Sequence, residues 1–277
     1  MAPDAAAATD PPPRAPPPAM PPAPRLRRGD SDGDGKPTAT QPPRRRRSLS
    51  RQAIVDAALK IVDAEGLDAM TMRRVGQELE TGGASLYAHV ANKDELLELV
   101  IDRVIGELEI PGEPDRERWQ EQLKQAVRSM RSTLAAHKDI ARGCLARIPL
   151  GPNALRGSEA MIGVMRAGSL PDQVIAYACD LLPLYATAVA YEESLYAVAV
   201  PSPAEIERFV ADLRDYFAAL PPAVYPNIVA LAGPLTAGSG GDERFEFGLD
   251  VLVRGLASVA ADARPAAGQP PPTATGA

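Results

Sequence analysis

Residues 51–100 read RQAIVDAALKIVDAEGLDAMTMRRVGQELETGGASLYAHVANKDELLELV, and the spacing of apolar residues in this stretch decides the fold. Ile54, Ala57, Ala58, Ile61 and Val62 recur at intervals of three and four, which marks one buried face of a helix capped by Ser50 and stopped by Gly66. Thr71 offers a hydroxyl to the free amides of a second, two-turn helix whose buried stripe is Met72, Val75 and Leu79. Thr81, Gly82 and Gly83 break that helix, and a third short one carries residues 84–90. Asn92 then caps a long helix with Leu96, Leu97, Val100, Ile101, Val104, Ile105 and Leu108 on its inner face, running toward Pro111. Three short helices and one long one, the second and third joined by a tight turn, predict a helix-turn-helix unit. Short helix pairs are common in all-α proteins, so the pattern alone leaves DNA binding and plain helical packing both open.

The flanks differ in kind. Residues 1–47 hold 13 of the 29 prolines and only Met1, Met20 and Leu26 as sizeable apolar side chains, so burial cannot offset the entropy of ordering them. Residues 265–277 repeat that composition, and both segments are expected to be disordered tails around a folded body at 48–264. Beyond residue 110 the periodic segments lengthen, at 115–136, 153–167, 171–200, 203–220 and 242–262, and none alternates with a strand period. Eleven of the twelve aromatic residues lie at Trp119 or later. A boundary near 110 is therefore expected, dividing 48–110 from a helical domain at 111–264, in an all-α chain.

Charge is segregated along the chain. Lys and Arg exceed Asp and Glu by four in residues 1–47, fall one short in 48–93 and nine short in 94–277, giving the net −6. An acidic total does not exclude a nucleic-acid partner when Arg44, Arg45, Arg46 and Arg47 form a local phosphate-seeking run just before the first helix. That run reads equally as a solubilising tail or as an arm along the DNA backbone or minor groove. Cys144 and Cys179 have no metal-ligand spacing, and His89 and His137 cannot make a cluster, so no metal, cofactor or disulfide framework is expected. His137, Asp139 and Cys144 lack a third partner or glycine loop for catalysis, and no enzyme is expected. No run approaches about 18 consecutive apolar residues and the N-terminus has no apolar signal segment, which predicts a cytoplasmic protein without a membrane partner.

The wording of residues 51–100 resembles the DNA-binding domain of the TetR family of bacterial regulators: the apolar first-helix frame ending at Gly66, the Thr71 cap, SLYAHV at 85–90 and NKDEL at 92–96. Looser likeness to the tetracycline-repressor branch continues through EIPGEPDRERWQEQL, AHKDIAR, LGPNALRGSEA and LPDQVIAYACDLL, as far as about residue 262. The resemblance implies a homodimeric repressor of a palindromic double-stranded operator, released by a small-molecule effector. The alternatives are an activator or architectural protein without effector release, and a helical small-molecule carrier.

On the DNA side the candidates are Ser50, Thr71, Arg73, Gly83, Ala84, Ser85, Tyr87, His89 and Lys93. Arg73 can grip guanine O6 and N7 bidentately, and the matching position in related repressors reads a base. Gly83, Ala84 and Ser85 permit close approach, while Tyr87, His89 and Lys93 position the unit on phosphates. Arg74 is closer to a solvated face shared with Glu78 and Glu80. Family members usually have a glycine and then an apolar residue in the turn, where this chain has Glu80 and Thr81, so the glycines are displaced. On the effector side, the positions that hold the drug and its magnesium in tetracycline repressors correspond to Ala126, Met130, Cys144 and Met161. These are apolar or soft, which predicts a hydrophobic effector lined also by Met165, with Tyr177, Asp180, Leu184 and Tyr185 as further contacts. Segments 171–200 and 242–262 are the expected intersubunit four-helix bundle.

Overall fold

The computed structural model describes residues 49–145, 147–199, 202–237 and 241–262. The two tails and Arg44–Arg47 lie outside the described residues, and so do the expectations attached to them. Within the described residues the chain is all helix and turn: α1 (Arg51–Glu65), a 3-10 turn (Leu67–Ala69), α2 (Met72–Glu78), α3 (Gly83–Leu86), α4 (Lys93–Ile105), α5 (Trp119–Ala136), α6 (Ile140–Cys144), α7 (Pro152–Ala167), α8 (Asp172–Ala199), α9 (Pro203–Ala218), α10 (Pro226–Ala230), α11 (Ala232–Thr236) and α12 (Gly241–Asp262).

The expected caps hold three of the first four helices. Ser50 Oγ accepts from Ala53 N at 3.2 Å, Thr71 Oγ1 from Arg74 N at 3.1 Å, and Asn92 Oδ1 from Glu95 N at 2.9 Å. Glu95 reaches back to Ala91 N at 2.6 Å, completing a reciprocal box at the start of α4. The third helix is shorter than expected: regular structure ends at Leu86, and residues 87–89 continue as a turn held by His89 N to Leu86 O. α4 also ends early, at Ile105 before Gly106, leaving Leu108 and Ile110 free to turn elsewhere.

Two apolar clusters lie in the larger body. Ile54, Ala58, Ile61 and Val62 of α1 meet Val75, Leu86, Val90, Leu96 and Val100, and that cluster continues onto Leu134, Ile140, Ala141 and Ala190. The expected boundary near residue 110 is thus not a gap in the packing. The second cluster gathers Trp119, Leu123 and Val127 of α5, Val164 and Met165 of α7, Ala178 and Leu182 of α8, and Phe245, Leu249 and Val253 of α12.

By compactness the described residues fall into two units, with α9, α10 and α11 forming one by themselves. In that unit Arg214 Nε donates to Thr236 Oγ1 at 3.1 Å, and the buried Thr236 hydroxyl donates to Ala232 O at 2.7 Å. Its short helices at 226–236 were not expected from the sequence, because neither is long enough to show a period.

α8 is the most apolar helix among the described residues. Its residues Asp172–Leu195 are long and apolar enough on average to cross a membrane, although no uninterrupted apolar run is. Ile175, Ala178, Leu182, Ala186 and Ala190 put one face of this helix into the protein core, and Pro183 stands inside it.

Candidate nucleic-acid interface and ligand cavity

The turn between α2 and α3 sets the presentation of the first site. Glu80 N donates to Gln77 O and Thr81 N to Gly76 O at 2.9 Å, the paired bonds that close a helix through one left-handed residue. That residue is Glu80, with φ 51, not a glycine. Gly82 instead caps α3 in extended backbone at φ −69. The displaced glycines therefore leave the turn's geometry intact and place its strain on Glu80. Gly76 is where α2 and the turn come closest: a Cβ there would stand 3.1 Å from Thr81 O and 3.3 Å from Gly83 N.

Arg73, in the first turn of α2, is exposed and makes no ion pair among the described residues. Its neighbour Arg74 is committed within the protein, to Glu65 at 2.6 Å and Glu78 at 3.1 Å, and those hydrogen bonds hold its pKa above the usual arginine range. Ala84 and Ser85 are exposed on α3, Gly83 is half-buried, Tyr87 is exposed just past the helix, and Leu86 and Val90 are buried beneath. His89 is half-buried and Lys93 is exposed at the first residue of α4. The Ser50 and Thr71 hydroxyls already accept a backbone N–H as caps, which leaves each an O–H to donate. The candidates thus fall at the starts of α1, α2 and α4, along α3 and in the turn after it.

The second site is a cavity of about 650 Å³, within the range of small-molecule pockets. Its walls come from the end of α4 and the linker after it (Ile105, Leu108, Ile110), from α5 (Ala126, Met130, Leu134), from α6 and the loop after it (Cys144, Ile148, Leu150), from α7 (Ala154, Met161) and from α8 (Cys179, Asp180, Pro183, Leu184, Thr187). Of the sequence candidates, Ala126, Met130, Cys144, Met161, Asp180 and Leu184 line it. Met165, Tyr177 and Tyr185 do not. Met165 lies one turn beyond Met161 and is wholly buried in the second cluster, and Tyr177 is 68% exposed on another face of α8. Tyr185 stacks on Phe245 with ring centroids 5.5 Å apart and donates its hydroxyl to Phe245 O at 3.0 Å. Sequence reasoning missed the walls supplied by the linker at 108–111 and the loop at 145–150, which have no periodicity to read.

Both cysteines of the chain border the cavity. Burial pushes the Cys144 thiol up to about 12, against a small opposing pull from the Arg147 charge, and raises Cys179 as well. Both therefore stay protonated and behave as soft apolar lining. Pro183 has no N–H, so the carbonyl of Cys179, also in the wall, lacks its helical partner.

Polar contacts made by Asp102, Asp139, Arg142 and His137 tie the cavity walls to the helix-turn-helix unit. Asp102, buried on α4, accepts from Asn153 N and Ala154 N, both at 3.0 Å, and so caps α7 from outside that helix. Asn153 Nδ2 returns to Asp102 O at 2.9 Å, and a Cβ on Gly151 would sit 2.2 Å from the carboxyl. Asp139, immediately before α6, accepts from Leu67 N at 3.1 Å, and Arg142 pairs with Asp68 at 2.9 Å. His137 stands between Asp63 of α1 and Glu107 after α4, each 3.0 Å from a different ring nitrogen. Burial opposes its charge, but the hydrogen bonds to Glu107 and Asp63 outweigh burial and lift its pKa.

Comparisons with known proteins match both parts of the chain. Residues 54–100 match the family model for bacterial regulatory proteins of the tetR family, and 111–260 match that for the tetracyclin repressor-like C-terminal domain. The chain is 31% identical over 223 residues to the HTH-type transcriptional repressor DrrR1 of Streptomyces coeruleorubidus, covering 78% of this chain and 80% of that protein. Among solved structures, apo ActR from Streptomyces coelicolor is 47% identical, with a TM-score of 0.71 over 78% of this chain and 98% of its own. ActR in complex with actinorhodin is 46% identical, with a TM-score of 0.72 over 78% and 99%.

Proposed function

The chain belongs to the TetR family of bacterial regulatory proteins, DNA-binding transcriptional repressors with a helical ligand-binding domain, and on that premise we propose how its parts divide the work. Two copies bind a palindromic operator, each inserting α3 in the major groove, with the two α3 helices about 34 to 36 Å apart. Arg73 reads a base, Ser85, Tyr87, His89 and Lys93 hold phosphates, and Gly83 and Ala84 allow the approach. A hydrophobic small molecule in the cavity releases the DNA, and the protein works by binding alone, without a catalytic step.

The observation that carries this reading is shared walls. α4, α6 and α7 each border the cavity, and each is also bonded to, or part of, the helix-turn-helix unit through Asp102, Asp139 and Arg142. A ligand that fits one arrangement of these helices better than another therefore shifts the spacing of the α3 helices, and DNA weakens the ligand by the same factor. Actinorhodin, seen with ActR, is the first ligand to try.

Dimerisation is assigned to α8 and α12. Tyr177 and Leu181 on α8, with Phe247 (73% exposed), Val251 and Val259 on α12, leave large apolar side chains in water that a second copy would cover. Phe247→Glu is expected to shift the protein to monomer in analytical ultracentrifugation and to weaken the operator at least about tenfold, because one half-site then binds alone. Fluorescence anisotropy on the intergenic DNA beside the protein's own gene, against scrambled DNA over a salt series, tests the whole reading. Preferential binding at one or two dimers per site is expected. Equal binding to both DNAs, together with failure to enrich any site from a random-sequence library, overturns it.

A further inference from the structure

We propose that the cavity selects ligands with an acidic group, a carboxylate or sulfonate, held at its mouth by Arg147; this rests on the effector reading above. Three charged side chains border the cavity, Glu109, Asp180 and Arg147, so Arg147 is its one cation among the described lining residues. It leaves the loop after α6, beside Ile148, which is 84% exposed, and Leu150.

Arg147 has partners, but loose ones. Nη2 lies 3.5 Å from Asp94 Oδ1 and Nη1 lies 3.9 Å from Glu98 Oε1, both beyond the 2.7–2.9 Å of a strong charged hydrogen bond. Those carboxylates are 81% and 70% exposed, so water replaces Arg147 around them at little cost. An acid whose apolar body fills the cavity presents its charge to the same guanidinium in a drier setting, where the planar fork takes both oxygens at once. Glu109 and Asp180 repel the acid from the linker and α8 walls, which fixes the ligand's orientation. When Arg147 turns to the ligand, Asp94 and Glu98 at the start of α4 lose a cation, next to Lys93 on the DNA side. An acidic ligand therefore also weakens the field that attracts phosphate.

Two fluorescent probes with the same ring system separate charge from burial: neutral N-phenyl-1-naphthylamine and its sulfonate, 8-anilinonaphthalene-1-sulfonate. The full-length protein is expected to bind both. Arg147→Gln should weaken the sulfonate about tenfold, the size of one charged hydrogen bond, and leave the neutral probe within about twofold. Arg147→Lys should recover part of the loss. Asp94→Asn combined with Glu98→Gln, which frees the guanidinium, should strengthen the sulfonate alone. Equal effects on both probes, or none, overturn the acidic subsite while leaving the cavity in place. Met161→Trp, which fills the cavity, should abolish the neutral probe; if it binds unchanged, the cavity reading itself fails and the subsite with it.

Discussion

The helix-turn-helix unit and the ligand-binding helices of this chain are built from the same kind of element but held by different means. α1, α2 and α4 each carry their own cap in the preceding residue, and their core packs around the fully buried Ile54, Leu86 and Leu96. α5, α6 and α7 have no side-chain cap from their own N-cap residue, and between them stands a cavity of about 650 Å³. α7 depends for its start on Asp102, a residue of α4. A surface that must fit DNA is specified locally, whereas a pocket that must respond to a ligand is held by contacts reaching across from the part it controls.

The largest expected effect strikes that borrowed cap. Asp102→Ala strands the amides of Asn153 and Ala154 in a buried site and should destabilise the protein by about 2–3 kcal/mol in urea unfolding. It should also blunt ligand release of DNA. A loss no greater than that of an exposed residue would erase the contrast between the two regions. Arg73→Ala should leave stability unchanged and cost about 1–3 kcal/mol at the operator while relaxing one base preference; unchanged operator affinity would remove Arg73 from the readout. Within the locally specified unit, the left-handed Glu80 is the exception. Glu80→Gly relieves a strain of about 1–2 kcal/mol against a smaller entropic cost, so a net stabilisation of about 0.5–1 kcal/mol is expected in the same urea experiment.

The smallest effect is a pH dependence at the joint between the regions. His137 has a raised folded-state pKa, so the stability it gives through Asp63 and Glu107 is complete below the unfolded value near about 6.5 and is lost as pH rises through the folded value. The melting temperature of the unaltered protein should therefore fall relative to His137→Gln as pH rises from the unfolded value through the folded one. Parallel curves would show that the joint carries no charge.

This contrast also decides what the sequence discloses. Ser50, Thr71 and Asn92 stand next to the helices they cap, so the first four helices and their order can be read from residue spacing. Asp102 acts 51 positions from Asn153, and no local pattern marks it. Along α8 the lining residues Cys179, Asp180, Pro183, Leu184 and Thr187 follow the 3/4 spacing of one face, but the apolar residues of this helix are not confined to that face, so spacing alone could not exclude Tyr177 and Tyr185. Met161 and Met165 share a face of α7 and both belong to the second cluster, yet only Met161 borders the cavity. α6, five residues long, is too short for a period, and its place is set by Asp139 and Arg142 gripping the turn at 67–69.

The claim that one set of helices serves both sites is tested most directly by reciprocity. Operator affinity should be measured with and without saturating actinorhodin, and actinorhodin affinity with and without saturating operator DNA, once displacement of N-phenyl-1-naphthylamine shows that it occupies the cavity. Coupled sites require the two ratios to be equal, with a factor of about 5 to 150. Actinorhodin that fills the cavity and leaves operator affinity unchanged, with DNA leaving actinorhodin affinity unchanged in turn, would contradict it.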